Sequence, residues 1–174
     1  MKLYKNEFQL QTHGNKATYI DVTEQVNKII KDSGINEGMV TVVSPHTTCA
    51  VFFEEFSHDI NEQGDEFLQE DLNNVLAKII PNHESASTYN YPGEKHYEEV
   101  MNWPNAEDYL PGGDKSALWN GDAHLKATII GSSESFEVAD NKLGVGKTGY
   151  IYFADFDTTR ERTRQCKVIV IGEK

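Results

Sequence analysis

The sequence predicts an α+β fold with a largely antiparallel sheet. Two segments with helical periodicity fall in the first half of the chain, and several strand-like runs separated by turn residues fill its end. Strands and helices therefore do not alternate as they would in a doubly wound fold. The length of 174 residues allows a sizeable core, and we expect one domain over residues 1–174.

The composition excludes several classes of partner. The formal net charge is −12 and no basic patch occurs, so we expect neither nucleic acid nor anionic membrane as a partner. No apolar run approaches the ~18 residues of a membrane span, and the first residues lack the apolar region of a signal peptide. We therefore expect a cytoplasmic protein, with Cys49 and Cys166 reduced and buried.

The first elements are predicted to be a hairpin and a helix. Residues 2–10 and 17–21 have strand patterns on either side of a turn cluster, which is typical of a hairpin. Asp21-Val-Thr-Glu24 fits a capping box for the helix that follows. Gly34 is its expected C-cap.

A strand, a short break and a second strand then carry the first candidate site residues. The strands are expected at 39–44 and 50–54, and Pro45 ends the first because it cannot donate a ladder hydrogen bond. An ordinary turn explains the break equally well, but side chains fixed at the end of a rigid element often bind or react. The side chains at the break are His46, Thr47 and Thr48.

A second helix is predicted from about residue 59 to 79. Its apolar residues recur at spacings of three and four, and Pro81 ends it. Asp71 falls beside this apolar stripe. A carboxylate next to a buried face needs a partner, which makes Asp71 a candidate site residue, unless it reaches solvent at the edge of the stripe.

Residues 82–121 form a long excursion with little periodicity, apart from a possible short helix near residues 94–101. Loops this long are uncommon in compact domains and are usually functional or disordered. Its aromatic residues argue against disorder. We expect a folded excursion that covers a site or packs against a neighbouring subunit.

The end of the chain predicts five strands separated by turns at Gly131, Asp140-Asn141 and the segment that begins at Asp157. The strands are expected at residues 124–130, 135–138, 142–145, 149–156 and 163–171.

Histidines suggest a metal site. His96 and His124 lie at opposite ends of the excursion, and imidazoles brought together with a carboxylate bind zinc, manganese or iron. The candidate carboxylates are Asp71, Glu54 and Asp122. No standard ligand spacing occurs. Three further histidines, which lie in polar turn-like segments, are expected to be solvated: His13, His58 and His83.

Arginines suggest an anion site. Arg160, Arg162 and Arg164 alternate, so an extended backbone would place them on one face. Guanidinium forks suit phosphate or carboxylate. In a chain this acidic they are equally suited to pairing with nearby Asp and Glu.

An ordered set of short motifs resembles the YjbQ-like family, whose members are often described as secondary thiamine-phosphate synthases. The set spans most of the chain from residue 40 onward. Its pieces are Ser44-Pro-His-Thr-Thr-Cys-Ala50 with Glu54, Glu70-Asp71-Leu72, His96, Asn120-Gly-Asp-Ala-His-Leu125, Ile130-Gly-Ser-Ser133, Lys142-Leu-Gly-Val-Gly146 and Asp157-x-x-Arg160-x-Arg162.

The resemblance implies a β-sandwich-like core, a homotrimer and a metal-containing pocket near subunit boundaries. It implies the coupling of a hydroxymethylpyrimidine diphosphate to a thiazole phosphate, with release of diphosphate. The expected cofactor is a divalent metal, zinc before magnesium or manganese. Metal ligands are then His96, His124 and Asp71. The catalytic set is His46, Thr47, Thr48 and Asp71, and the substrate-binding set is Arg160, Arg162, Asn120 and Glu54.

Two alternatives to this transferase stay open at the level of sequence. One is a metal-dependent hydrolase of a small phosphate or amide, which the same ligands permit. The other is a non-catalytic trimer whose histidines bind metal for structure.

Overall fold

The computed structural model describes all 174 residues. In chain order the elements are β1 (Lys2–Thr12), β2 (Thr18–Asp21), α1 (Thr23–Ser33), β3 (Glu37–Val43), β4 (Cys49–Glu55), α2 (Phe67–Ile79), α3 (Glu94–Met101), α4 (Gly121–Ile130), β5 (Ser133–Ala139), β6 (Lys142–Leu143), β7 (Gly149–Asp155) and β8 (Arg162–Glu173). Three short 3-10 helices at Ala106–Asp108, Pro111–Gly113 and Lys115–Leu118 lie between α3 and α4.

The strands form two antiparallel sheets. The larger has the order β1-β8-β3-β5-β6 and the smaller has the order β2-β7-β4. A core of 17 buried residues draws side chains from both sheets and from α1. The α+β prediction with antiparallel sheets is confirmed.

The predicted opening hairpin is wrong. β1 pairs along its whole length with β8, whereas β2 pairs with β7 in the other sheet. Local alternation cannot reveal these partners, because both pairings join residues more than a hundred positions apart. The capping prediction is also wrong in detail: Asp21 accepts a hydrogen bond from the backbone N–H of Thr23, and α1 has no side-chain cap at Val22. Gly34 is the C-cap with φ of 63°, as predicted.

The second helix begins at Phe67, later than predicted, because residues 60–66 close a tight loop with a bridge between Ile60 and Glu66. A capping box does occur here, between Glu66 and Gln69. Leu76 is buried, but much of the predicted apolar stripe is exposed. Its exposed members are Phe67, Leu68, Val75 and Ile79.

The predicted strand at 124–130 is wrong: these residues belong to α4. Ala123 and Ala127, one turn apart, pack against Ala50 and Ala154 of the smaller sheet. A short apolar run does not distinguish a buried helix from a strand, and small residues let this helix lie close to the sheet. The fold therefore has four helices rather than two main ones.

The excursion at 82–121 is folded, as predicted. It contains α3 at the predicted position and a small apolar cluster of its own, built from Tyr97, Val100, Leu110 and Leu118. Both cysteines are free and buried. No helix has the length and apolar character needed to cross a membrane.

Candidate functional site

A cavity of about 360 Å³ lies between the sheets' ends and the excursion. The wall on the side of the core is polar. It consists of His46, Thr47, Thr48, Asn120, His124, Asp157 and Arg164, with Pro45 beside them. The wall contributed by the excursion is largely aromatic and apolar, and consists of Tyr91, His96, Val100, Trp103, Tyr109 and Leu118.

Asp157 is the one acidic residue that lines this cavity, and four hydrogen bonds hold its carboxylate. Its side chain is buried, and Oδ1 accepts hydrogen bonds from the backbone and hydroxyl of Thr159 at 3.0 and 2.6 Å. Oδ2 accepts from Asn120 Nδ2 at 3.1 Å and Arg162 Nη2 at 2.8 Å. Burial alone would raise the pKa of Asp157, but the hydrogen bonds from Thr159 and the charge of Arg162 outweigh it and hold the pKa below its usual value.

Arg164 is held by a second buried acid. Asp155 is fully buried and accepts from Arg164 Nε at 2.6 Å and from Nη2 at 3.2 Å. The same Nη2 donates to the Thr48 hydroxyl at 3.0 Å. Thr48 is thus engaged by the ion pair. Nη1 of Arg164 makes no hydrogen bond within the chain, although this residue lines the cavity.

The predicted arginine row is only partly extended. Arg162 and Arg164 lie on one face of β8, whereas Arg160 precedes the strand. Arg160 donates to the Tyr109 carbonyl at 3.2 Å, and its guanidinium lies 4.9 Å from the centre of the Tyr109 ring. Burial, then the neighbouring Arg162, lowers the pKa of Arg160.

Donors and acceptors remain unused around Asp157. Nη2 of Arg160, Nε of Arg162 and Oδ1 of Asn120 are buried and have no hydrogen-bond partner. Three guanidinium groups here face two carboxylates, so the cluster keeps one positive charge in a chain of net charge −12. Buried polar atoms normally have hydrogen-bond partners. These three atoms are therefore available to a bound ligand or a neighbouring subunit.

His46 is locked in orientation. Its Nε2 accepts a hydrogen bond from the backbone N–H of Gln165 at 2.9 Å, so in the neutral ring the proton lies on Nδ1. Burial, followed by the charge of Arg164, lowers the pKa of His46. Thr47, the next residue, is exposed at the mouth of the break.

His96 and His124 both lie close to the ring of Tyr91. The centre of the Tyr91 ring is 5.0 Å from that of His96 and 5.3 Å from that of His124. The Tyr91 hydroxyl is 3.2 Å from His96 Nε2. Burial lowers the pKa of His124, more than the charge of Asp157 raises it.

These histidines do not form a metal-ligand set within one chain. The structure contains no group of three His, Cys, Asp or Glu side chains placed to hold a metal ion, whereas protein zinc sites use at least three. Asp157, the acid that acts on His124, is already saturated by its own donors. The ligand set expected for the divalent ion is therefore incomplete in the isolated chain.

The three carboxylates predicted as metal-site candidates lie elsewhere. Asp71 is exposed on α2 and does not line the cavity. Glu54 lies near the far end of β4, paired with Tyr150, whereas the cavity is at the Cys49 end of that strand. Burial and the nearby Glu66 raise the pKa of Glu54. Asp122 lines a different cleft and is paired with Lys126 at 2.8 Å. The structure brings the remaining predicted site residues to the cavity or into contact with its lining.

Sequence reasoning overlooked Tyr91 and gave no site role to Asp155 or Asp157. A useful signal was that two acids are followed within a few positions by three arginines, since the structure gathers these side chains into one cluster. They are Asp155, Asp157, Arg160, Arg162 and Arg164. Tyr91 carries no such signal. The expectation for His83 is wrong: it is buried, and its Nδ1 accepts a hydrogen bond from Gly121 N at 3.1 Å.

Comparison with known proteins identifies relatives along the whole chain. The family model described as UPF0047 protein YjbQ-like matches residues 6–173. The UPF0047 protein MJ1081 of Methanocaldococcus jannaschii is 28% identical over 175 residues, covering all of both chains. A UPF0047 protein of Archaeoglobus fulgidus is 31% identical over 156 residues, covering 90% of this chain and 94% of its own.

A solved structure shows the same fold. The crystal structure of an uncharacterized conserved protein of the YjbQ/UPF0047 family from Clostridium acetobutylicum superposes with a TM-score of 0.66 at 27% identity, covering 95% of this chain and 99% of the other.

Proposed function

The chain belongs to the UPF0047 protein YjbQ-like family, and from this premise we propose that it is a transferase acting on phosphorylated heterocycles in the Asp157 cavity. The proposed reaction joins a pyrimidine diphosphate to a thiazole phosphate, as in thiamine-phosphate synthesis. The methylene–oxygen bond to the diphosphate breaks, the diphosphate leaves with the electron pair, and the thiazole nitrogen forms the new bond.

One observation carries the proposal: the cluster of three arginines and two aspartates at the cavity holds one surplus positive charge, that of Arg160, in an acidic chain. Arg164 lines the cavity and keeps Nη1 free, while Asp155 and Asp157 fix the guanidinium groups around it. An arginine held in place before substrate arrives loses little freedom on binding phosphate. Such a group also stabilises the charge that builds on a leaving diphosphate.

The imidazoles supply neutral hydrogen-bonding groups. The lowered pKa values of His46 and His124 keep both rings uncharged near neutral pH. His46 then offers its Nδ1 proton in a fixed direction, because Gln165 N occupies its other nitrogen. In the proposal, His46 and the Thr47 hydroxyl bind a phosphate oxygen.

The excursion suits the heterocycles. Trp103 and Tyr109 meet edge to face with ring centres 5.1 Å apart, and both line the cavity opposite the polar wall. Flat rings pack well against such aromatic surfaces. This wall can exclude water from the reacting carbon, which suits a reaction whose intermediate would otherwise be hydrolysed.

The divalent ion takes no step in the proposed reaction, because its ligand set is incomplete in one chain.

A homotrimer is part of the proposal. Leu125, which follows His124 in α4, and Ile129, one turn beyond Leu125, are exposed apolar side chains that support an interface near the cavity. Native mass spectrometry measures the assembly directly.

The activity test uses both precursors with the purified protein, with and without added Zn²⁺, Mg²⁺ or Mn²⁺. Chromatographic detection of thiamine phosphate, absent in an Arg164→Lys variant that stays folded, supports the transferase. Absence of product under every metal condition contradicts it, and release of inorganic phosphate from a panel of phosphate esters indicates the hydrolase instead.

A further inference from the structure

A second cleft, of about 460 Å³, lies behind the wall that carries Asp157. Neighbouring residues face different cavities: Asn120 and Asp157 line the proposed active site, whereas Trp119 and Thr158 line the second cleft. The two clefts thus share a wall but no lining residue. The second cleft has no role in the function proposed above.

A buried lysine lines this cleft. Lys126 is only 9% exposed, and its Nζ donates to Asp122 Oδ2 at 2.8 Å and to Asn82 Oδ1 at 3.1 Å. An ammonium group has three N–H donors, so one remains available. Burying a charged group is costly unless its hydrogen bonds are completed, and an acceptor in the cleft would complete this set.

A stacked aromatic pair forms another part of the lining. His83 is 8% exposed and stacks on Trp119, with ring centres 5.7 Å apart and planes 15° apart. Its Nδ1 is fixed by the hydrogen bond from Gly121 N. Its Nε2 is buried and has no hydrogen-bond partner. The pair holds the Trp119 ring in one orientation.

The charge of the lining distinguishes this cleft from the active site. Lys16 is paired with Asp65, and Lys126 with Asp122. Glu84 is the remaining charged residue of the lining. No positive charge is in surplus here, so the lining does not favour phosphate.

Carboxamides dominate the rest of the polar lining. Asn15 and Asn74 make no side-chain hydrogen bond within the chain, and the side chains of Asn73 and Asn82 use only their carbonyl oxygens, accepting from Tyr19 and Lys126. A carboxamide both donates and accepts. The cleft therefore offers paired donors and acceptors beside an aromatic ring.

We propose that this cleft binds an uncharged sugar ring. Hydroxyl groups both donate and accept, which matches the free carboxamides and the remaining N–H of Lys126. The C–H face of a pyranose is apolar and packs against the indole of Trp119. A few placed polar groups beside an aromatic surface are typical of small-molecule sites.

The test uses Trp119 as the reporter. The chain has two tryptophans, so Trp103→Phe leaves Trp119 as the single indole. The fluorescence of this variant is titrated with the methyl glycosides of glucose, galactose and mannose, and with uridine and inorganic phosphate for comparison. Calorimetric titration of the unaltered protein with the same glycosides guards against an effect of the Trp103 change.

A saturable response to at least one glycoside, seen also by calorimetry, is expected. Asn74→Ala should weaken it by about tenfold, the loss expected for one hydrogen bond of about 1.4 kcal/mol. Asn6→Ala, an exposed change on β1, should not alter it. No saturable response to any glycoside overturns the proposal, as does an equal response in the Asn74 variant. A response to uridine or phosphate alone overturns the sugar assignment.

Discussion

Asn120 donates its side-chain amide to Asp157 Oδ2 at 3.1 Å, and this bond joins the start of α4 to the segment after β7. Both residues are buried. The bond holds the end of the excursion, which also carries the aromatic wall of the cavity, against the ion-pair cluster.

Loss of this bond should destabilise the protein. Asn120→Ala removes a donor to a buried carboxylate, which costs about 2 kcal/mol in the free energy of unfolding. Urea denaturation monitored by circular dichroism measures it. The matched control is Asn105→Ala, because Asn105 also donates to an aspartate, Asp108, but at 3.4 Å on the surface. Equal losses in the two variants would show that burial of the bond does not matter.

The pair of Asp155 and Arg164 should be among the most sensitive contacts in the fold. Asp155→Asn leaves a buried guanidinium without its counter-charge, and breaking such a pair costs about 3–5 kcal/mol. The exposed pair of Lys28 and Asp32 supplies the control: Asp32→Asn should leave the urea midpoint almost unchanged, because solvent screens an exposed pair. Urea midpoints that fall equally in both variants would contradict the assignment of Asp155 as a structural anchor.

Stability should fall as pH drops below about 6.5, the ordinary pKa of histidine. The folded-state pKa values of His46 and His124 are lowered by burial, so the unfolded chain binds protons that the folded chain does not. Stability from these neutral rings is therefore present above the unfolded pKa and is lost as pH falls toward the folded pKa.

The comparison that isolates this effect is His46→Gln against the exposed change His13→Gln, each measured by urea unfolding at pH 7.5 and 5.5. The His46 variant should lose less stability between these pH values than the unaltered protein, because it lacks one of the three rings whose pKa is lowered by burial, those of His46, His83 and His124. The same pH dependence in all three proteins would contradict the prediction.

The larger sheet should not tolerate a side chain at Gly38. Gly38 lies opposite Gly172, and a Cβ at Gly38 would be 2.1 Å from the carbonyl oxygen of Ile171. Since that atom is backbone, strands β3 and β8 would have to separate, and Gly38→Ala should cost about 2 kcal/mol or more. Gly146→Ala, whose added Cβ would meet nothing within 4 Å, is the control. A thermal midpoint unchanged by the Gly38 substitution would refute the close approach.

Much of the fold follows from local patterns. The C-cap at Gly34, the short helix at Glu94–Met101 and the break after Pro45 were all predictable, because turn residues and periodicity act within a few positions. The hairpin and the strand at 124–130 were wrong for a shared reason. Pairing partners and burial depend on distant residues, and an apolar run such as that of α4 fits either a strand or a helix.

The site was predictable in its parts rather than in its contacts. His46, His124, Asn120 and Arg162 were identified as candidates from composition and the family's motifs. The contacts that hold the cavity wall together run through Asp155 and Asp157, and the burial of these two acids becomes visible only in the packed structure. Asp71 was predicted to need a buried partner because it lies beside an apolar stripe. The stripe is largely exposed, so the carboxylate reaches solvent and needs no such partner.

We propose that the cavity lined by Asp157 binds the anionic end of a phosphorylated substrate through the one surplus positive charge of the arginine cluster. The most direct test of this proposal is calorimetric titration with inorganic pyrophosphate of the unaltered protein, Arg160→Met and Lys115→Met. Arg160→Met removes the surplus charge without breaking an ion pair, because the Arg160 side chain donates only to the Tyr109 carbonyl and lies over the Tyr109 ring, which lines the cavity. Lys115 lies on the surface of the excursion and is paired with Glu94. We predict saturable binding that weakens at least about tenfold in Arg160→Met, the effect of about 1.4 kcal/mol, and stays unchanged in Lys115→Met. Absence of binding to the unaltered protein, or equal weakening in both variants, would contradict the account.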